Sequence, residues 1–290
     1  MAGQGASLSQ AQQFQAAQQQ ASNARYQILG IQAKTVAFAA ALWASYKIHN
    51  DLAMQSFLQR WVPTLEGAEA AIGQITQSYL NTAIRTLDSH SYTIEPVPSS
   101  LFTGAMIRSG DGNSAGIDPS QVYTRPFTQF YTDLSKNKPV DQALASAQAR
   151  LKSMASVDLQ LAHTRSARAT FGQIPQGSRI TGYRRVIGDD DPCELCVQAA
   201  SQRYHSGSLM PIHVHCNCTV WPIVGTKDLG QHVNVVALSD NPPTADTTKF
   251  FGQTAQVHQH GEYGPVLTAG GQHFMTLEQA MNQGPVTIPG

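Results

Sequence analysis

The sequence contains few charged residues. Asp, Glu, Lys and Arg make up only 13% of the 290 residues, where roughly 25% is usual for a soluble domain. The 19 basic and 19 acidic residues cancel to a formal net charge of zero, whereas nucleic-acid-binding domains usually carry a basic excess. The composition therefore disfavours a general polyanion binder. A weakly charged surface favours a protein that packs against partners.

Long apolar runs are also missing. The most apolar stretch is TVAFAAALWASY, about 12 residues, and a helix that spans a bilayer needs about 20. The opening MAGQGASLSQAQQ lacks the basic segment and apolar core of a secretory signal. We therefore expect no membrane segment, no export, and a reducing cytoplasm in which disulfides are rare.

The few charges are unevenly distributed. Residues 1–50 carry Arg25, Lys34 and Lys47 but no Asp or Glu. Residues 238–290 carry four acidic residues against Lys249 alone. A basic beginning and an acidic end predict that the two ends of the chain meet different surroundings.

Composition divides the chain into four segments. Residues 1–22 are rich in Gln, Ala and Ser, and we expect them to be frayed or helical only when docked. Residues 23–170 form a helical region, residues 171–226 a small Cys/His domain, and residues 227–290 a linker followed by a hairpin and tail. The predicted fold class is α+β, with a mainly α-helical N-terminal half, a small α+β Cys/His-containing domain and an extended tail.

Local signals set the expected element boundaries. A helix is predicted over 23–50, with a kink at Gly30, and a second helix is predicted to begin at Pro63. Asp118 and Pro119 form an N-cap and N1 pair. Pro139 is predicted to open the longest helix, which ends near residue 169. Strands are expected at 179–186 and 219–224, a short helix at 193–203, and a hairpin within 258–274.

Cysteine and histidine residues cluster in one short segment. All four cysteines lie between Cys193 and Cys218. The segment reads C-x2-C, then H-x-H-C-x-C about 17 residues later, which is typical of a structural Zn²⁺ site with four Cys/His ligands. The predicted ligands are four of the following: Cys193, Cys196, His213, Cys216 and Cys218. Buried reduced thiols and disulfide or redox chemistry remain alternatives, and His215 competes with His213.

The chain lacks several common catalytic motifs. It contains no GxxxxGK[ST] phosphate loop and no GxSxG nucleophile elbow. His258 and His260 share a strand face and make a weak metal pair at best. A Cys–His nucleophile is possible in principle, yet no single cysteine stands out as the attacking group.

The run GYRRVIGDDDPCELCVQAASQRYHSGSLMPIHVHCNCTVWPI resembles the C-terminal domain of MuF-like minor head proteins of tailed bacteriophages, in the form found in phages of actinobacteria. The matching positions are Arg184 and Arg185, Cys193 and Cys196, Arg203 to His205, His213, Cys216, Cys218 and Pro222. The resemblance extends over roughly residues 120–275 and is most specific over 183–222. The first 115 residues resemble no family.

This resemblance implies a minor capsid protein that acts in head assembly, DNA packaging or ejection. It would dock on the phage portal, the major capsid protein or the scaffolding protein, with a possible contact to packaged DNA, and would pass from the host cytoplasm into the virion head. Members of the family are also labelled capsid maturation proteases, and that activity is the alternative expectation, with catalytic residues that the sequence does not identify. A nucleic-acid-binding zinc module is a third possibility, in which Arg179, Arg184, Arg185 and Arg203 touch phosphates.

Overall fold

A computed structural model describes residues 10–87, 94–99, 118–175, 178–186, 203–204, 218–224, 256–260, 264–269 and 272–274. The helices within these residues are α1 (Gln10–Ala44), α2 (Asp51–Leu87), α3 (Pro119–Val122), α4 (Arg125–Ser135) and α5 (Val140–Phe171). The strands are β1 (Ile180–Val186), β2 (Arg203–Tyr204), β3 (Thr219–Val224), β4 (Gln256–His260), β5 (Gly264–Ala269) and β6 (Gln272–Phe274). The described part is mostly helical with small antiparallel sheets, which agrees with an α+β class.

The first helix begins earlier than the sequence predicts. α1 starts at Gln10, so the expectation of a frayed segment is wrong for residues 10–22, while residues 1–9 lie outside the described residues. Gln and Ala are good helix formers, and Ala21 is fully buried. α1 runs through Gly30 as one continuous helix.

The second helix also begins earlier than predicted. α2 starts at Asp51 and contains Pro63 in its interior, so the prediction that Pro63 opens this helix is wrong. Asn50 caps the start, because its side chain accepts a hydrogen bond of 3.0 Å from the Ala53 amide. Proline removes one helical hydrogen bond, and Pro63 lies on the exposed side, where water can satisfy the carbonyl that loses its partner.

The caps predicted for the later helices are confirmed. Asp118 accepts a hydrogen bond of 2.8 Å from the Ser120 amide, with Pro119 in the first turn of α3. Pro126 lies in the first turn of α4, where a new helix starts. Pro139 is the N-cap of α5, as predicted, but α5 has 32 residues against 35 in α1 and 37 in α2, so the prediction that it is the longest helix is wrong. Asn137 makes the turn between α4 and α5 with a φ of 59°, a left-handed conformation that Asn tolerates.

Helices α1, α2, α4 and α5 form a bundle, in which α1 and α2 are antiparallel and α4 and α5 are antiparallel. Trp43 and Phe57 pack edge to face with centroids 6.1 Å apart, and Gln148 donates to the Ala40 carbonyl at 3.2 Å. The main core cluster draws on all four helices. Its fully buried members include Trp61, Leu65, Ile72, Ala147, Leu151, Ala155 and Leu159.

Glutamine side chains hold the extended segment 94–99 against the bundle. Gln77 of α2 accepts from the Val97 amide at 2.8 Å and donates to the Val97 carbonyl at 3.3 Å. Gln173, just after α5, makes the same pair of bonds to Glu95, at 2.8 and 3.0 Å. Each amide satisfies both backbone groups of one residue, as a neighbouring strand does in a sheet.

Two antiparallel sheets are present in the described residues. The first has the order β2-β1-β3 and the second the order β4-β5-β6. The strands predicted at 179–186 and 219–224 are confirmed to within one residue. The hairpin predicted within 258–274 is present as β4 and β5, to which β6 adds a third strand. The predicted helix at 193–203 lies outside the described residues except for Arg203, which is in β2.

The first sheet and the helices share a second core cluster. Phe171 at the end of α5 stacks on Tyr183 of β1, with centroids 5.5 Å apart. The Tyr79 hydroxyl of α2 donates to the Val220 carbonyl at 3.1 Å and accepts from the Val220 amide at 3.4 Å. The hydroxyl therefore satisfies the two outward backbone groups of Val220 in β3, which is an edge strand among the described residues.

No helix within the described ranges is both long and apolar enough to span a bilayer.

We expect Tyr79→Phe to lower the free energy of unfolding by about 1–3 kcal/mol, because both Val220 backbone groups lose their buried partner. The measurement is urea denaturation of the full-length protein. Tyr26→Phe is the matched control, since Tyr26 is 64% exposed and its hydroxyl should contribute less than about 0.5 kcal/mol. Equal stability of the two variants would contradict the anchoring role of Tyr79.

Candidate functional site

The structure describes one of the five predicted zinc ligands. Cys218 lies immediately before β3 and is buried, with 9% of its surface exposed. Cys193, Cys196, His213 and Cys216 lie outside the described residues. Across the described ranges, no three His, Cys, Asp or Glu side chains are grouped so as to hold a metal ion. Zinc binding therefore stays a prediction.

The arginines of β1 are buried. Arg184 is 3% exposed and Arg185 is 5% exposed, and their strand partners on β3 are Trp221 and Val220. Little guanidinium surface is thus available to a phosphate group. The sequence pattern shows the basic pair but not its burial, because burial depends on what packs over both faces of the strand.

A polar layer crosses the bundle between α2 and α5. Thr76 Oγ1 donates to the Ile72 carbonyl at 2.8 Å and lies 2.8 Å from His163 Nδ1. The hydroxyl has one proton, so His163 Nδ1 is the donor in the second bond. One turn away, Ser166 donates to the Gly73 carbonyl at 2.9 Å. These bonds fix how α2 and α5 align, because a sliding helix would leave buried polar groups without partners.

The carboxyl group of Asp158 in α5 is buried where α5 meets the connection between α3 and α4. The hydroxyl of Tyr123 donates to Asp158 Oδ2 at 2.6 Å, and the two residues are 0% and 6% exposed. This short hydrogen bond joins the α3–α4 connection to α5. The sequence pattern of α5 did not predict that Asp158 and His163 are buried. Both are polar residues within an otherwise apolar stripe.

His49 lies in an aromatic cluster at the turn between α1 and α2. Its ring centroid is 4.4 Å from Trp43, 5.4 Å from Phe130 and 6.1 Å from Phe127. The Tyr131 hydroxyl donates to the His49 carbonyl at 2.8 Å. Burial lowers the pKa of His49, and a hydrogen bond with the Trp43 backbone opposes that shift. Burial therefore favours the neutral form of the imidazole.

An open groove of about 320 Å³ lies between α1 and α2 near the first sheet. Its lining is uncharged and mixes polar with apolar side chains: Gln20, Asn23, Ala24, Gln27, Ile75, Ser78, Tyr79 and Thr82. Amide and hydroxyl groups offer hydrogen bonds of both kinds, but they offer no charge or strong nucleophile for chemistry. We therefore regard the groove as a surface feature of the α1–α2 packing.

Comparisons of the chain with protein-family models, with curated proteins and with solved structures find no match.

We expect the free energy of unfolding to fall as the pH drops below about 6.5, the ordinary pKa of histidine. The fall should continue until the pH reaches the lowered pKa of His49 in the folded protein. In this window the unfolded chain binds the proton and the folded chain does not, so protonation favours unfolding. Above about pH 6.5, the imidazole is neutral in both the folded and the unfolded chain, so its titration does not change the free energy of unfolding. The measurement is urea denaturation between pH 8 and pH 4.5.

His49→Phe is the matched variant, because it keeps a ring in the aromatic cluster and removes the titration. Its stability should fall less than that of the wild type over the same window. Parallel pH profiles for the two proteins would show that His49 does not contribute to the pH dependence.

Proposed function

We propose that the chain is a minor head protein of a tailed bacteriophage, a MuF-like protein that docks at the portal or inner capsid and acts in head assembly, DNA packaging or ejection. The resemblance over 183–222 suggests the family, and the helical bundle supports an interaction role. Its N-terminal helices offer a long, rigid, weakly charged surface, as expected of a protein that works against partners.

The observation that carries this proposal is the end of the bundle farthest from the first sheet, called here the bundle tip. Large apolar side chains lie exposed there: Ile48 (69%), Leu52 (74%), Tyr131 (48%) and Val140 (59%). Scattered single apolar residues are normal on a surface, but several at one place favour a protein contact. The α1–α2 turn, which bears Ile48, is fastened to α4, because Tyr131 donates a hydrogen bond to the His49 carbonyl and Phe130 packs against the His49 ring.

We also propose a structural zinc ion at the Cys/His segment. The donor set suits Zn²⁺, which prefers four thiolate or imidazole ligands. Buried Cys218 leads directly into β3, the strand that Tyr79 anchors to α2. A metal bound there would stabilise the first sheet against the bundle. Its role would be in folding, and no chemical step is assigned to it.

We expect metal analysis of the purified protein to give about one zinc per chain. Cys193→Ser should lose the zinc and lower the melting temperature, because a structural site contributes folding free energy. His232→Gln is the control, since this histidine lies outside the predicted ligand set. Absence of zinc, together with an unchanged melting temperature for Cys193→Ser, would refute the site.

We expect purified heads to contain the chain at a low copy number, crosslinked to the portal or capsid protein. The paired change Ile48→Asp and Leu52→Asp should reduce incorporation, because it places charge in the apolar contact. The control is Gln74→Asp and Ser78→Asp, at exposed polar residues six or more turns of α2 away from Leu52. All variants should first be shown to fold by circular dichroism.

Heads that lack the protein would refute the proposed function. Capsid or scaffold cleavage that stops when one of Cys193, Cys196, Cys216 or Cys218 is changed, in a chain that remains folded, would instead support the maturation-protease alternative.

A further inference from the structure

The extended segment 94–99, called here the strap, is bound to the bundle by glutamine side chains. Gln77 and Gln173 each bond to both backbone groups of one strap residue, Val97 and Glu95 respectively, over distances of 2.8 to 3.3 Å. Gln77 lies ten residues before Leu87, the last residue of α2, and is itself only 8% exposed. A buried side-chain amide in the interior of a helix is thus committed to an extended stretch of backbone.

The burial of the strap repeats every three residues. Ile94 is 8% exposed and Val97 is 6% exposed. The other four positions are exposed: Glu95, Pro96, Pro98 and Ser99. A polyproline II helix has three residues per turn, so positions 94 and 97 lie on the same side of it. The strap therefore sits on the bundle in the way that a polyproline II peptide sits in the groove of a recognition domain.

The strap sequence favours this extended form before it docks. Pro96 and Pro98 each fix their own φ near about −65°, and the residue before a proline is biased toward extended backbone. Polyproline II has no internal hydrogen bonds, so its backbone groups are available to the two glutamine amides. A peptide with the same prolines would lose little conformational entropy when it binds.

The contacts define which other peptides would fit. A glutamine amide can bond to the N–H and C=O groups of any residue except proline, which lacks the N–H. Side-chain selection is therefore limited to the two buried positions, 94 and 97. A fitting peptide has apolar side chains three residues apart, a proline between them, and residues other than proline at the two bonded positions.

Few contacts hold the strap in place. The two bonds between Gln173 and Glu95 lie at an exposed part of the surface. Among the described residues, neither Ile94 nor Val97 belongs to the main core cluster or to the cluster shared with the first sheet. Segments with few buried apolar contacts open locally while the rest of the protein stays folded. Local opening of the strap would expose both glutamine amides to a competing peptide.

We propose that the strap is the resident ligand of a peptide-binding groove marked by Gln77 and Gln173, and that it gives way to an extended, proline-containing peptide of another protein. A second copy of this chain is a poorer occupant, because exchanging straps forms the same contacts again and costs association entropy. A partner peptide gains further contacts through its flanks. This inference goes beyond the proposed phage role and does not depend on it.

Hydrogen exchange of the full-length wild-type chain tests local opening. The backbone amides of Glu95 and Val97 should exchange at least about 100-fold faster than those of Leu65 in α2 and Ala155 in α5, because the strap opens without unfolding the bundle. Strap amides that exchange as slowly as the two core amides would show that the strap leaves only on global unfolding, which would overturn the proposal. This measurement needs no variant.

Fluorescence anisotropy tests binding in trans, with a labelled peptide of residues 92–100 (YTIEPVPSS) as the probe. Val97→Asp in the full-length chain should bind it at least about tenfold more tightly than the wild type, whose own strap competes at an effective concentration on the order of millimolar. Ser99→Asp, at an exposed strap position, is the matched control and should bind like the wild type. The same peptide carrying Val97→Asp should not bind.

A second substitution locates the groove. Gln77→Ala, added to Val97→Asp, should weaken peptide binding at least about tenfold, because the peptide loses both amide bonds at that position. Gln74→Ala, at an exposed position of the same helix, should leave binding unchanged. Circular dichroism should first show that each variant is folded.

Three results would overturn the proposal. They are a folded Val97→Asp chain that does not bind the peptide, equal binding with and without the Gln77 amide, and wild-type dimers in which position 97 of one copy crosslinks to position 77 of the other. The last result would identify a second copy as the occupant. Detection of the chain in purified heads is a separate measurement, so either idea can fail while the other stands.

Discussion

The packing of α2 (Asp51–Leu87) against its neighbours is the interaction on which the rest of the structure depends. One stretch of this helix contributes Trp61, Leu65 and Ile72 to the main core, and a later stretch contributes Tyr79 and Leu80 to the core shared with the sheet. Each stretch packs against apolar residues of α1 and α5. Because one helix contributes to both clusters, α2 joins the core of the bundle to the core beneath the first sheet.

This arrangement links the Cys/His segment to the helices that precede it. β3 follows Cys218 directly and is held by Tyr79, while Tyr183 of β1 stacks on Phe171. The first sheet thus depends on α2 and α5 for its apolar contacts. Deleting α1 and α2 would remove half of that core, so point substitutions on exposed faces are better probes of function than truncations.

Polar groups give the bundle its alignment, and apolar groups give it most of its stability. The Thr76–His163 and Ser166–Gly73 bonds lie within a mostly apolar interface, and each contributes a modest net free energy when made. Leaving the same groups unpaired costs more, so they select one register of α2 against α5.

The sequence by itself determined the helices and strands that depend on local signals: the Asp118–Pro119 cap, the start of α5 after Pro139, and the strands at 180–186 and 219–224. These signals act between residues a few positions apart. Only the tertiary structure decided that α2 continues through Pro63, that α1 begins at Gln10, and that Asp158, His163, Arg184 and Arg185 are buried. Their environments come from contacts between residues far apart in the chain, 141 positions in the case of Tyr79 and Val220, and such contacts leave no periodicity or spacing in the sequence.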